Sequence, residues 1–476
     1  MSQALDVPPP QQGAPGPPWS PSPPSPHGGH AGLADFRTPG NPYFPGPELM
    51  DRLRQGMAAL LTHHPLDAGA VTAEACAALG LHPQTVVLGN GSTELVTWID
   101  HLLLRESVAV PVPTSRRWTD QPLGTGKRVD MFLLREEDGF RLDVDAYLAF
   151  VRQRGSRAAV LCNPNNPDGT HLPRSEVLRL LDGLADLDLV VVDESAVDFA
   201  DAEQEPSVAD QAVLRPNVVV LRSLGRNAGL PGVRLGHLVA NPALAHRIRG
   251  ALPPRNLNSF AEAMVLLLRE RMAEYRESLR IVVRDRQAMF RNLQAVPGLG
   301  VLPSQANFLL TRLPEGVDGS RMREALLDGH GVSVGACGDR LGMGPRFLRL
   351  AVRPVHDQQR LVAGMLAVLY GTGAAPGWPS TPLPPSRAAA QLPAGQGTAP
   401  AGPPAPPAGA VPGLPAGQAY PAQVQQVPLP QAGIPQVAVP QIAVQQMHPQ
   451  AMPPGYGYGY PAQQGGPYPY AAAPQG

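Results

Sequence analysis

Three short stretches of this chain have the residue types and spacing to handle a ligand, two of them an anion. Gly89-Asn90-Gly91-Ser92-Thr93-Glu94 follows an apolar run and opens a segment with helical apolar spacing at Leu95, Ile99, Leu102 and Leu103. A glycine turn feeding a helix start leaves free N–H groups and the positive end of the helix dipole, which suit a phosphate. The same residues also read as an ordinary tight turn with Ser92 as the N-cap. Asp193 ends the apolar run 189–192, and strand C-termini are where α/β sheets place ligand contacts. The stretch 222–236 carries Gly225, Gly229, Gly232 and Gly236 around Arg226 and Arg234. Glycines at this density allow sharp turns and close backbone approach, and the two guanidiniums could pair with a phosphate or carboxylate.

One compositional fact bears on mechanism. Lys127 is the one lysine of the chain; every other basic side chain besides histidine is arginine. On a surface the exchange is harmless. It is not harmless where a neutral amine must attack an aldehyde, because a guanidinium does not deprotonate in proteins. Lys127 lies between Gly126 and Arg128, at what reads as the exposed start of a strand.

The elements that would hold these residues follow from apolar periodicity. Strand-like runs fall at 85–88, 107–112, 158–162, 189–192, 218–221 and 238–240. Helical spacing covers 50–60 and 71–79, and a long amphipathic helical region spans 260 to about 293. Alternating strands and helices predict an α/β fold with a mainly parallel sheet covered on both faces.

Composition sets the outer limits. The chain has 476 residues and a formal net charge of −1, so no global basic field argues for nucleic acid. Cys76, Cys162 and Cys337 are widely spaced, too few for a disulfide framework and without metal-motif spacing. A reducing, cytoplasmic setting is the simple reading. The first residues show no signal-peptide pattern, and no run of ~18 apolar residues suggests a membrane span. Residues 1 to about 40 and 372–476 are rich in Pro and Gly, with Ala, Gln and Tyr in the second, and read as disordered tails. The C-terminal tail reads either as a partner-binding arm or as a solvated tail.

The stretch 222–236 resembles the cofactor-lysine segment of fold-type-I pyridoxal-phosphate enzymes, the class I/II aminotransferases. Ser223, Gly229, Leu230, Gly232, Arg234 and Gly236 fall in register. Asn163-Pro164-Asn165-Asn166-Pro167-Asp168-Gly169 is the most specific single match, and Asn41-Pro42-Tyr43-Phe44-Pro45 resembles the entry segment of the histidinol-phosphate aminotransferase group. The resemblance spans roughly 41–370 and is nearest to histidinol-phosphate aminotransferase and threonine-phosphate decarboxylase. It implies a large domain with a mainly parallel seven-stranded sheet at about 60–255, and a smaller α+β domain from about 41–59 and 256–371. It also implies a homodimer with pyridoxal phosphate as cofactor. Gly91, Ser92, Thr93, Ser223 and Arg234 would serve the phosphate. Asn166 would meet the ring 3-oxygen and Asp193 the ring nitrogen. Asn307 would lie beside the substrate, and Arg349 would pair with its carboxylate. Trp118 is the one nearby aromatic that could stack on the ring.

The departures from the family pattern concentrate on the same ligand. Arg226 stands at the position of the Schiff-base lysine. Gly225 replaces a serine, Ala196 a tyrosine, Ser115 the stacking aromatic and Gly335 an arginine. His64-Pro65-Leu66-Asp67 stands where relatives have Tyr-Pro-Asp. Three readings remain open. One is an active transaminase for an amino acid or amino-phosphate. A second is a family member inactive in transamination that binds pyridoxal phosphate or a phosphorylated amine non-covalently. The third is a dimeric interaction protein without catalysis.

Overall fold

The structure is a computed structural model that describes residues 32–371, apart from residue 63. The tail readings for 1–31 and 372–476, with the partner-binding arm, lie outside the described residues.

Seven strands form one mixed sheet in the order Val86–Gly89, Gly236–Ala240, Val218–Arg222, Leu189–Asp193, Ala158–Cys162, Ser107–Val112, Arg128–Leu133. All neighbouring pairs are parallel except those of Gly236–Ala240, which runs antiparallel to both its neighbours. The central strands read as continuous apolar runs because both faces are covered. Successive side chains point to opposite faces. Val190, Val192, Val218 and Val220 enter one core with helices Ala68–Leu79 and Ser259–Glu270. Leu189, Val191, Val219 and Leu221 enter the other with helix Gly91–Leu102 and Trp118.

A second body is built on four short strands in the order Gly335–Ala336, Phe347–Ala351, Phe308–Arg312, Gly300–Val301. Helices Gly319–His330 and Val355–Tyr370 supply its core. The long amphipathic region is two helices, Ser259–Glu270 and Met272–Gln294, separated at Arg271. The second joins the two bodies: Tyr275 packs in the sheet core, while Met289 and Leu293 pack in the smaller one.

Two boundaries differ from the sequence reading. The folded region begins before residue 41. Ala34–Asp35 pairs in parallel with Val332–Ser333, and Phe36 is fully buried in the smaller core. Arg353 donates from Nε to the Asp35 carbonyl at 2.6 Å and from Nη2 to the Thr38 carbonyl at 2.6 Å. Low-complexity composition masked one aromatic anchor and a backbone ladder, neither of which leaves a periodic signal. Phe44 and Leu49, assigned to the smaller domain, are buried in the larger core.

If residues 32–40 belong to the fold, Phe36→Ala should destabilise it by about 3–5 kcal/mol, the usual cost of truncating a buried phenylalanine. Urea unfolding followed by circular dichroism measures this; an unchanged midpoint would return the segment to a tail.

Candidate anion-binding cleft

Five chain segments converge at one edge of the large sheet, because parallel strands end there together. Ser107–Val112 delivers Pro113-Thr114-Ser115, and Ala158–Cys162 delivers the 163–169 loop. Leu189–Asp193 ends on Asp193, and Val218–Arg222 leads into Ser223. Val86–Gly89 leads into Asn90 and Gly91. The smaller body adds Asn307, just ahead of Phe308–Arg312, and Arg349 on Phe347–Ala351.

At one end of the cleft is a cavity of about 370 Å³, with Gly91, Ser92, Ser223, Arg226, Arg234 and Arg349 in its wall. Helix Gly91–Leu102 starts here. Its N-cap is Asn90, not Ser92, and no side chain caps it, so its first-turn N–H groups are open to a ligand. Arg117 donates from Nη1 to Ser92 Oγ at 2.9 Å and to Thr93 Oγ1 at 3.1 Å. Arg234 adopts a left-handed backbone, φ +60, and its Nη2 reaches Thr93 Oγ1 at 3.2 Å. A Cβ on Gly91, itself at φ +78, would lie 2.6 Å from that Nη2. Glycine is therefore what lets the arginine cross the loop.

A smaller adjoining cavity is lined by Ser115, Arg117, Asn166, Asp193, Ala196, Arg226 and Asn307, among others. Asp193 Oδ2 accepts from Trp118 Nε1 at 2.8 Å, and Oδ1 accepts from the Ser195 amide at 3.0 Å and the Ser195 hydroxyl at 2.5 Å. These bonds fix the carboxylate at the strand end. Asn166 Oδ1 accepts from Arg349 Nη1 at 2.8 Å, so its amide nitrogen remains to donate. Asn307 Nδ2 is buried with no hydrogen-bond partner among the described residues, as is Arg349 Nε.

Arg226 occupies the middle, in the walls of both cavities. No hydrogen bond or ion pair to its guanidinium occurs among the described residues. Burial, then the charges of Arg117 and Arg234, push its pKa down to about 10, against the opposing pull of Asp193. Burial, then Arg340, Arg226 and Arg37, push Arg349 down to about 9. Both groups therefore stay cationic at neutral pH.

The site residues expected from sequence thus gather here, with one exception. Trp118 is fully buried, belongs to the sheet core and lines neither cavity. It acts behind Asp193 as a hydrogen-bond donor rather than beside the ligand. Lys127 is not exposed as expected: its side chain is 12% accessible and its Nζ lies 3.1 Å from the buried Asp100 carboxylate. It precedes the start of Arg128–Leu133, the end of a parallel strand opposite the cleft. Sequence reasoning missed Arg117, Arg37 and Arg340. Arg117 sits two residues beyond Ser115, within the gap between the Pro-Thr motif and Trp118. Arg340 donates to the Thr114 and Asn166 carbonyls at 3.2 and 3.3 Å, and Arg37 lines the larger cavity. Neither has a local motif to announce it.

The family model for aminotransferase class I and II matches residues 44–365. The chain belongs to this family. It is 32% identical over 333 residues to a CMP-5'-(3-aminopropyl)phosphonate synthase of Streptomyces rubellomurinus, covering 70% of this chain and 52% of that protein. An L-serine phosphate decarboxylase of Sulfurospirillum multivorans is 28% identical over 318 residues, covering 65% of this chain and 80% of that one. The solved histidinol-phosphate aminotransferase of Sinorhizobium meliloti, in complex with pyridoxal-5'-phosphate, shares the fold at a TM-score of 0.63 and 21% identity, over 71% of this chain and 90% of that one. The chain spans about half the length of the first curated relatives it matches. Among the described residues no helix is long and apolar enough to cross a membrane.

The family cofactor, pyridoxal phosphate, fits this aminotransferase-family cleft in part. The open helix start with Ser92, Thr93, Arg117 and Arg234 suits its phosphate, and Asp193 suits a protonated ring nitrogen. No lysine lines either cavity, and Arg226, in the walls of both, offers no neutral amine. The residues present do not fit a covalently anchored cofactor.

His237, behind the cleft, gives a pH test. It is buried, and both ring nitrogens lack partners among the described residues. Burial, then Arg222, push its pKa down to about 3, with Asp198 opposing. The unfolded side chain titrates near about 6.5, so between those values the unfolded state binds more protons. Its contribution to stability is whole above about pH 6.5 and is lost as pH falls toward 3. His237→Leu should therefore show a smaller fall in urea midpoint between pH 7 and 5 than the wild type. Equal falls would count against the buried neutral imidazole.

Proposed function

We propose that this aminotransferase-family chain binds a phosphorylated small molecule non-covalently, pyridoxal phosphate included, and does not transaminate by the covalent route. The observation that carries this reading is Arg226, a guanidinium without a partner among the described residues and in the walls of both cavities, at the position where the family resemblance puts the lysine. A lysine would serve twice in transamination, as the covalent anchor and as the base that moves the α-proton. Arg226 can do neither near neutral pH, but it can pair with an anion. The one lysine cannot substitute, because Lys127 is tied to Asp100 at the far end of the sheet.

In this reading Ser92, Thr93, Ser223, Arg117 and Arg234 hold the phosphate. Asn166 donates to a ring or chain oxygen, Asp193 accepts from the protonated ring nitrogen when pyridoxal phosphate is the ligand, and Arg349 with Asn307 holds the far end. Family membership further supports a homodimer, readable by sedimentation, and a cytoplasmic setting. The relatives that act on phosphorylated amino acids make such compounds the first ligands to test.

The decisive experiment mixes purified protein with pyridoxal phosphate, reduces with borohydride and maps the label by mass spectrometry. We expect weakened binding at high salt and no pyridoxyl label. Label on Lys127 would overturn the proposal. Arg226→Lys should gain only weak labelling, since Ala196 and Gly225 remain. Adding Ala196→Tyr and Gly225→Ser should raise it. The serine comes at some cost in stability, because a Cβ at 225 would lie 3.1 Å from the Leu235 amide nitrogen.

A further inference from the structure

The charge balance of the cleft narrows the ligand. Five arginines line the two adjoining cavities: Arg37, Arg226, Arg234 and Arg349 the larger, with Arg117 and Arg226 in the smaller. One carboxylate, Asp193, faces them. None of the five has an ion-pair partner among the described residues, whereas arginines elsewhere commonly do, as Arg152 with Asp186 or Arg286 with Asp201. Two of the five, Arg226 and Arg349, are depressed first by burial and then by their neighbours' charge. A bound anion would relieve crowded like charges of this kind.

The geometry also shows where a positive group on a ligand would fail. Asp193 is the one acceptor that could neutralise it. Trp118 Nε1 and the amide and hydroxyl of Ser195 hold its oxygens in place at the strand end. It lines the smaller cavity and not the larger. An ammonium placed between a phosphate at Ser92 and a carboxylate at Arg349 would meet Arg226 instead. Arg226 has no hydrogen-bond or ion-pair partner among the described residues, and an ammonium beside this buried guanidinium is repelled by it.

We propose that the cleft selects an amine-free compound bearing both a phosphate and a carboxylate, the phosphorylated hydroxy- or keto-acid class, over the phosphorylated amino acid of the same skeleton. This rests on the reading of the cleft as a non-covalent anion site. Phosphate and carboxylate occupy the two ends, Arg117 with Arg234 and Arg349. Arg226 faces the middle, where a hydroxyl or carbonyl oxygen accepts from it and an ammonium cannot.

Titration calorimetry with 3-phosphoglycerate and O-phosphoserine tests this, because the two differ by a hydroxyl in place of an ammonium. The protein is used at full length without added pyridoxal phosphate. We expect 3-phosphoglycerate to bind at least tenfold more tightly. Arg226→Lys, which keeps the charge, should keep most of that ratio, and Arg226→Gln should bring it toward one. Phosphoserine binding equally well or better would overturn the selectivity while leaving the non-covalent reading intact. A ratio that persists in Arg226→Gln would overturn the role of Arg226. Neither compound binding at millimolar concentration would overturn both this inference and the reading it rests on.

Discussion

Two chain segments can approach closely in this fold only because neither carries a side chain at the contact. A Cβ on Gly236 would lie 2.5 Å from the Ser92 amide nitrogen and 2.8 Å from the Gly91 carbonyl carbon. Gly236 opens the one antiparallel strand of the large sheet, and Gly89 pairs with it directly. The start of helix Gly91–Leu102 is thereby pressed against the segment that ends in Arg234. The cationic end of the cleft is built around this contact: the uncapped helix start, the crossing of Arg234 over Gly91, and the reach of both arginines to Thr93. A side chain at Gly236 would push the loop away and leave two guanidiniums without a common target.

Much of the sheet was legible because its strands are apolar throughout and bounded by turn residues. The runs at 107–112 and 158–162 match the strands residue for residue. Asp193 and Asn166 could be placed because each lies at or just past the end of such a strand, whereas Arg349 was singled out by the family resemblance alone. What could not be read was set by tertiary contacts alone. Phe36 has no periodic neighbours, so its burial is invisible locally. Trp118 lies on a short helix, Arg117–Gly124, whose burying face depends on the Asp193 carboxylate it bonds. Lys127 reads as exposed because its partner, Asp100, is distant in sequence and lies on another helix.

The arginine at position 226 decides what the site can do more than what it looks like. A lysine there would carry one charge that could be removed. An arginine carries one that stays, inside a group of cations that already includes Arg117, Arg234 and Arg349. The open helix start and its arginines form a scaffold suited to a phosphate, while the middle of the cleft offers a permanent donor and no neutral amine. Fold and chemistry thus separate at a single side chain.

Helix Met272–Gln294 has a further consequence. It carries Tyr275 into one core and Met289 and Leu293 into the other, and between them Arg286 is buried, bonded to Asp201, the Phe199 carbonyl and the Ala306 carbonyl. Neither body can lose this helix alone, since fraying it from one side strands a buried guanidinium on the other. The two bodies are therefore thermodynamically one cooperative unit. Heat should melt them in a single transition, and damage to either core should be felt equally by both.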